Sequence, residues 1–218
     1  MRAWNVLATG YPAASRVFLL SPAYCGGRRA QALLSPRARG EMAGRLASGA
    51  LTLADAFAFM SGLYFRGKLA YAHAFTASES ASWARVITPT RGLQPLDLIV
   101  SPALIEEFAS VDVASGGERF QRPLERDAWE VASRLGPCDR VVLLGSIATD
   151  KYVAILSRVF AHRLVCPSAF VGRGDMSRGA LLLRSAAART ELEYMPLSSA
   201  VVRRGRRAPS INADAAGC

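Results

Sequence analysis

Residues 163–184 read RLVCPSAFVGRGDMSRGALLLR. Leu164, Val165 and Cys166 make a short apolar run that Pro167 stops, and the next apolar run begins at Ala180. The stretch between them, rich in Gly and Ser, reads as a loop at the end of one strand. Gly172, Gly174 and Gly179 allow the backbone to turn through positive φ and to approach a ligand closely. Arg173 and Arg178 carry planar donor forks suited to phosphate or carboxylate, and Asp175 adds a carboxylate between them. The reading is an anion-binding loop, set against an ordinary surface loop in which Arg and Asp pair with each other.

The same unit of strand, turn and helix recurs outward from this stretch. Val141 to Leu144 is a buried strand closed by Gly145 and Ser146. Thr149 or Asp150 then caps a helix from Lys151 to Phe160, whose inward face is Val153, Leu156 and Phe160. Earlier, Val17 to Leu20 form a strand ending at Ser21 and Pro22, followed by Tyr24, Cys25, Gly26, Gly27, Arg28 and Arg29 and a helical pattern through Ala30, Leu33 and Leu34. A helix start with free N–H groups, a glycine pair and two arginines suits an anion. Its spacing fits neither a Walker loop nor a dinucleotide fingerprint. Trp83 to Thr88 reads as a further strand, and residues 89–97 as a loop with Arg91 and Gly92. Leu98 to Val100 reads equally as a short strand or a packed segment. Pro123 opens an expected helix over Leu124 to Leu135, with Trp129 inward and Glu125, Arg126, Asp127 and Glu130 outward. A last helix is expected from Ala180 to Glu193.

In residues 61–75, SGLYFRGKLAYAHAF, aromatic residues alternate with Arg66, Lys68 and His73. That mixture suits stacking on bases with phosphate neutralisation. It also suits a helix with rings in the core and cations in water. Gly67 costs up to ~1 kcal/mol inside a helix, so it marks a turn or a close approach.

Short apolar strands separated by helices imply an α/β, three-layer Rossmann-like domain, a short mostly parallel sheet flanked by helices. One domain is expected over residues 1–196, with a basic flexible tail over 197–218 that carries Arg203, Arg204, Arg206 and Arg207. Ligands of such sheets bind outside the carboxyl ends of the strands. The loops after Leu20, Thr88, Leu144 and Cys166 would meet there. They carry the candidate ligand-binding residues Ser21, Tyr24, Gly26, Gly27, Arg28, Arg91, Gly145, Ser146, Gly172, Arg173, Gly174 and Arg178, to which Arg66 and Lys68 are added. The candidate catalytic residues are Asp175, as general base or water-orienting group, and Ser168 as a donor.

The chain of 218 residues carries 27 Lys and Arg against 17 Asp and Glu, a formal +10 that favours polyanions through a salt-sensitive attraction. Lys68 and Lys151 are its two lysines, an arginine bias that base composition of a genome also produces. Cys25, Cys138, Cys166 and Cys218 form no C-x-x-C pair, so neither a zinc site nor a disulfide framework is expected. The two histidines, His73 and His162, offer no Ser-His-Asp arrangement. No metal or cofactor is expected. No leader pattern and no run of eighteen apolar residues occurs, so a soluble cytoplasmic protein without a membrane partner is expected. Oligomeric state is left open.

The second half resembles the uracil-DNA-glycosylase-like superfamily. The resemblance is carried by VVLLGSIATDKYV (141–153), a strand ending in a small residue before a helix, and by CPSAFVGRGDMSRG (166–179), similar to the family's His-Pro-Ser loop. Pro167 and Ser168 match, and Cys166 stands where the family has histidine. SPAYCGG (21–27) takes the place of the water-activating loop and lacks its aspartate. The resemblance implies recognition of nucleic acid or a nucleotide, with a base or sugar near Tyr24 and the backbone against Ser168, Arg173 and Arg178. The two departures count against ordinary uracil excision. The functional expectation is an enzyme acting on a nucleobase or an N-glycosidic bond. Its rivals are a non-catalytic nucleic-acid-binding module and an enzyme for a small phosphorylated metabolite.

Overall fold

A computed structural model describes residues 16–76, 84–147 and 150–200. Six strands among these residues form one sheet: β1 (Arg16–Leu20), β2 (Ala84–Thr88), β3 (Gly92–Gln94), β4 (Arg140–Leu144), β5 (Leu164–Pro167) and β6 (Tyr194–Pro196). Their order across the sheet is β3-β2-β1-β4-β5-β6. The central four are parallel, and β3 and β6 close the edges antiparallel.

The strands read as unbroken apolar runs because both faces are covered. Phe18 and Leu20 of β1 enter one core with Val142, Leu144 and Val165, while Val17 and Leu19 enter the other with Val141, Leu143 and Leu164. The first face carries α1 (Arg28–Leu34), α2 (Glu41–Ala47), α3 (Leu53–Ser61), α4 (Leu63–Phe75), α5 (Pro102–Ala109) and α8 (Asp175–Ala187). The second carries α6 (Glu118–Ser133) and α7 (Asp150–Phe160). This is the three-layer, Rossmann-like α/β arrangement expected from the sequence.

Several local expectations are corrected. Residues 89–97 are not all loop, because Gly92–Gln94 folds back on β2 as strand β3. Helix α6 begins at Glu118 and contains Pro123. Trp129 is half exposed rather than inward, whereas Asp127 is buried and accepts a hydrogen bond of 2.9 Å from the Leu93 amide. A buried carboxylate that closes the end of an edge strand overrides its expected outward position. Gly92 is required there: its φ is +64°, and a Cβ would lie 2.2 Å from Asp127 Oδ2. Leu98–Val100 joins no strand, but Leu53 N donates to Leu98 O and Val100 N to Leu51 O.

The largest correction concerns the opening stretch. Helix α8 begins at Asp175, with Gly174 as its N-cap, so Asp175, Arg178 and Gly179 are helical rather than in a loop. It ends at Ala187, and the chain then forms β6 instead of continuing as helix to Glu193. The ordered body also extends past residue 196, since Leu197 and Ala200 are buried in the second core. The tail arginines 203, 204, 206 and 207, together with Trp83 and Thr149, lie outside the described residues, as does the side chain of Asp150. No helix among the described residues is long and apolar enough to cross a membrane.

Candidate functional site

Strand β1 has β2 on one side and β4 on the other, so the chain reverses its direction across the sheet at β1. In open α/β sheets the crevice at such a reversal is where ligands bind, because neighbouring loops leave in opposite directions. Here the β1 and β4 ends stay joined through the Ser21 amide, which donates to the Leu144 carbonyl at 3.1 Å. Gly145 follows directly. A Cβ on it would lie 2.7 Å from Ser21 Cβ and 2.9 Å from the Tyr152 hydroxyl, so only glycine lets these groups crowd together.

A cleft of about 400 Å³ opens at this point. Ser21, Tyr24 and Gly26 line it from the β1 loop, Tyr64 and Lys68 from α4, Ser146 and Tyr152 from the β4–α7 segment, and Asp175 from α8. Lys151, Phe108 and Asp112 complete much of the remaining wall.

Lys68 decides the chemistry of the floor. Its side chain is 1% exposed. Nζ donates to the Ser21 carbonyl at 3.0 Å and lies 2.7 Å from Ser21 Oγ. The Tyr64 ring centroid is 4.2 Å from Nζ and the Phe65 centroid 5.2 Å. Burial pushes the Lys68 amine down to about 7, opposed by Asp175 and assisted by Arg178. The rings and Asp175 favour the ammonium, but loss of water outweighs both. Asp175, the carboxylate acting on the amine, is bonded to Arg178 at 3.3 Å.

Two tyrosines and one thiol nearby are held in their protonated forms. Burial raises the Tyr64 phenol well above its ordinary range, with Arg178 pulling the other way. The Tyr64 hydroxyl is buried, and the Arg178 side chain is the hydrogen-bonding group that acts on it. Tyr152 donates to the Ser146 carbonyl at 3.0 Å, and burial pushes its phenol up to about 12 against the polar contacts of Ser21 and Ser146. The Cys25 thiol, also in the cleft wall, is pushed up to about 12 by burial, so it is a packing residue rather than a nucleophile.

The structure brings together Ser21, Tyr24, Gly26, Lys68, Ser146 and Asp175 from the sequence candidates, with Gly145 packed behind Ser21. The expected convergence of arginines does not occur, for none of Arg28, Arg66, Arg91, Arg173 and Arg178 lines the cleft. Arg91 is committed to Glu107 through bonds of 3.1 and 2.7 Å. Arg178 is buried, donating twice to the Phe170 carbonyl and once to Asp175, so it fastens the loop before α8. Arg173 is exposed and donates to Ser177. Arg66 faces outward on α4 while Lys68, two residues on and about 200° round the helix, faces inward. Arg28 opens α1 and is exposed. Ser168 turns away from the cleft: its hydroxyl and amide both bond the Glu193 carbonyl, supporting β6. Gly172, at φ +75°, and Gly174 belong to the exposed turn before α8. Gly26 and Gly27 support the Tyr24 ring, and a Cβ on Gly26 would meet its hydroxyl at 2.8 Å.

Sequence reasoning missed Tyr64 and Tyr152. Tyr64 stood in the aromatic-basic stretch, where ring and cation were weighed as a surface rather than as an inward pair. Tyr152 has no local signal, because its role depends on Gly145 making room beside Ser21. Comparison with protein-family models, curated proteins and solved structures found no match.

Proposed function

We propose that this protein is a nucleobase- or nucleotide-directed enzyme whose ligand enters the cleft between the ends of β1 and β4. The observation that carries the reading is an exposed aromatic ring and a buried polar floor in one cavity. Tyr24 is 76% exposed, rests on the backbone of Gly26 and Gly27, and lines the same cleft as Ser21, Lys68 and Ser146. A ring held this way offers a face for stacking, worth about 1–3 kcal/mol per base, and the floor supplies donors and acceptors for edges and sugar hydroxyls. The cavity size falls within the range of small-ligand sites. The formal +10 of the chain favours approach of anionic ligands. The resemblance to the uracil-DNA-glycosylase-like superfamily points to the same ligand class.

An enzyme is favoured over a passive binding module by Lys68. A buried amine beside a hydroxyl costs stability and contributes little to a binding surface, but it is suited to moving a proton near neutral pH. Asp175 also lines the cleft and modulates that amine.

Calorimetric titration of nucleosides, mononucleotides and short oligonucleotides into the full chain tests the reading. At least one should bind, and Tyr24→Ala should weaken it about tenfold, or ~1.4 kcal/mol, without lowering Tm. No binding by any of the three classes to folded protein rejects the ligand class.

A further inference from the structure

We infer that Ser21 is a covalent nucleophile with Lys68 as its general base, so that the cleft performs acyl transfer on an ester or amide. This rests on the cleft being the site proposed above, and it names the reaction class.

Two observations combine. The first is the spacing of 2.7 Å between Lys68 Nζ and Ser21 Oγ. A neutral amine has two N–H groups and one lone pair. The Ser21 carbonyl takes one N–H at 3.0 Å, and the lone pair is then free to accept the Ser21 hydroxyl proton. The second is burial: Ser21 is 6% and Lys68 1% exposed, yet both line the cleft, where a ligand and then a water molecule would meet them.

In the forward step Lys68 Nζ takes the Oγ proton as Oγ bonds to the carbonyl carbon, and the carbonyl pair moves onto oxygen. Collapse breaks the bond to the leaving oxygen or nitrogen, which takes the proton from Lys68 and departs, leaving an ester on Ser21. Water then gives a proton to Lys68, attacks the ester carbon and releases the acid, and Ser21 recovers its proton. Atoms and charge balance with water as co-reactant. The groups acting on Lys68 are Asp175 and Arg178 from α8, Tyr64 and Phe65 from its own helix, and Ser21 from the β1 loop.

The test is reaction of the full chain with 4-nitrophenyl acetate and with a fluorophosphonate, followed by intact and peptide mass measurement. One adduct on Ser21 is expected, absent in Ser21→Ala. Its rate should climb as pH rises from about 6 to about 9, with a midpoint near 7 where the amine becomes free. Lys68→Met should slow it about 10²-fold or more, with folding checked by thermal melts. No Ser21 adduct on folded protein across that range overturns the inference, as does an unchanged rate in Lys68→Met. Should Lys68→Met not fold, a flat pH profile in the unmodified chain overturns it equally. An adduct without nucleotide binding rejects only the ligand class, whereas nucleotide binding without an adduct rejects only this step.

Discussion

Gly67 on α4 and Gly179 on α8 press backbone to backbone. A Cβ on Gly67 would lie 2.6 Å from the Gly179 carbonyl oxygen, and one on Gly179 would lie 2.8 Å from Tyr64 Cα. Because their sequence neighbours are Lys68 and Arg178, this contact sets how closely the amine, Tyr64 and Asp175 gather.

Gly67→Ala should therefore destabilise the fold despite alanine's better helix propensity. Relieving the clash means separating two helices, a cost of about 1–3 kcal/mol that exceeds the propensity gain of up to ~1 kcal/mol. Thermal melts should show Tm lowered by several degrees. An unchanged or raised Tm would show that the helices yield freely.

Lys68 should make stability rise with pH over a defined window. Its amine ionises near 7 in the fold and near 10.5 when unfolded, so between these values the unfolded chain binds more protons and folding gains as pH rises. Below about 7 both states are protonated and the full penalty of burying the charge applies. Lys68→Met should flatten this rise and be relatively more stable at the low end, by a difference on the order of a few kcal/mol. Urea melts between about pH 7 and pH 9 are the measurement, because above that the buried tyrosines act in the opposite sense. Their raised pKa values stabilise only below the ordinary phenol value of 10.0 and that contribution is lost above it. Parallel pH profiles for both proteins would contradict a strongly depressed amine.

Asp175 separates two mechanisms. As a group that acts on Lys68, it raises the amine's pKa, so Asp175→Asn should move the pH midpoint of Ser21 acylation downward while turnover persists. As the general base itself, the same change would abolish turnover and leave no midpoint to follow. Acylation rates against pH in the two proteins decide it.

Asp127 offers a control remote from the chemistry. Removing its carboxylate in Asp127→Ala leaves the buried Leu93 amide without its acceptor, at about 1–3 kcal/mol. Denaturant melts should show that loss, and the Ser21 acylation rate in folded protein should be unchanged. A slowed reaction would mean that the β3 edge is coupled to the cleft.

Much of the architecture was legible in local sequence. A run such as Val141–Leu144, apolar at successive positions, needs cover on both faces, and Pro167 or Gly145 ends a strand by removing a donor or a side chain. Ser21, Tyr24, Ser146 and Asp175 could be named because strand ends are recognisable and the parallel sheet gathers them on one rim. The arginines were misjudged for a physical reason. A guanidinium is read from sequence as available charge, yet Arg91 and Arg178 are consumed by Glu107 and by the Phe170 carbonyl, partners that only folding supplies.

The amino-acid order by itself thus determined the layered sheet and the edge at which ligands meet it, because apolar periodicity and chain-breaking residues act over a few neighbours. The tertiary structure decided which groups became chemistry. Lys68 is an ordinary cation in sequence and turns into a buried amine beside Ser21, 47 positions away, only when Gly67 lets α4 settle against α8 and Gly145 leaves room at the end of β4. That outcome depends on the loss of water around one nitrogen, which long-range packing produces and no short stretch encodes.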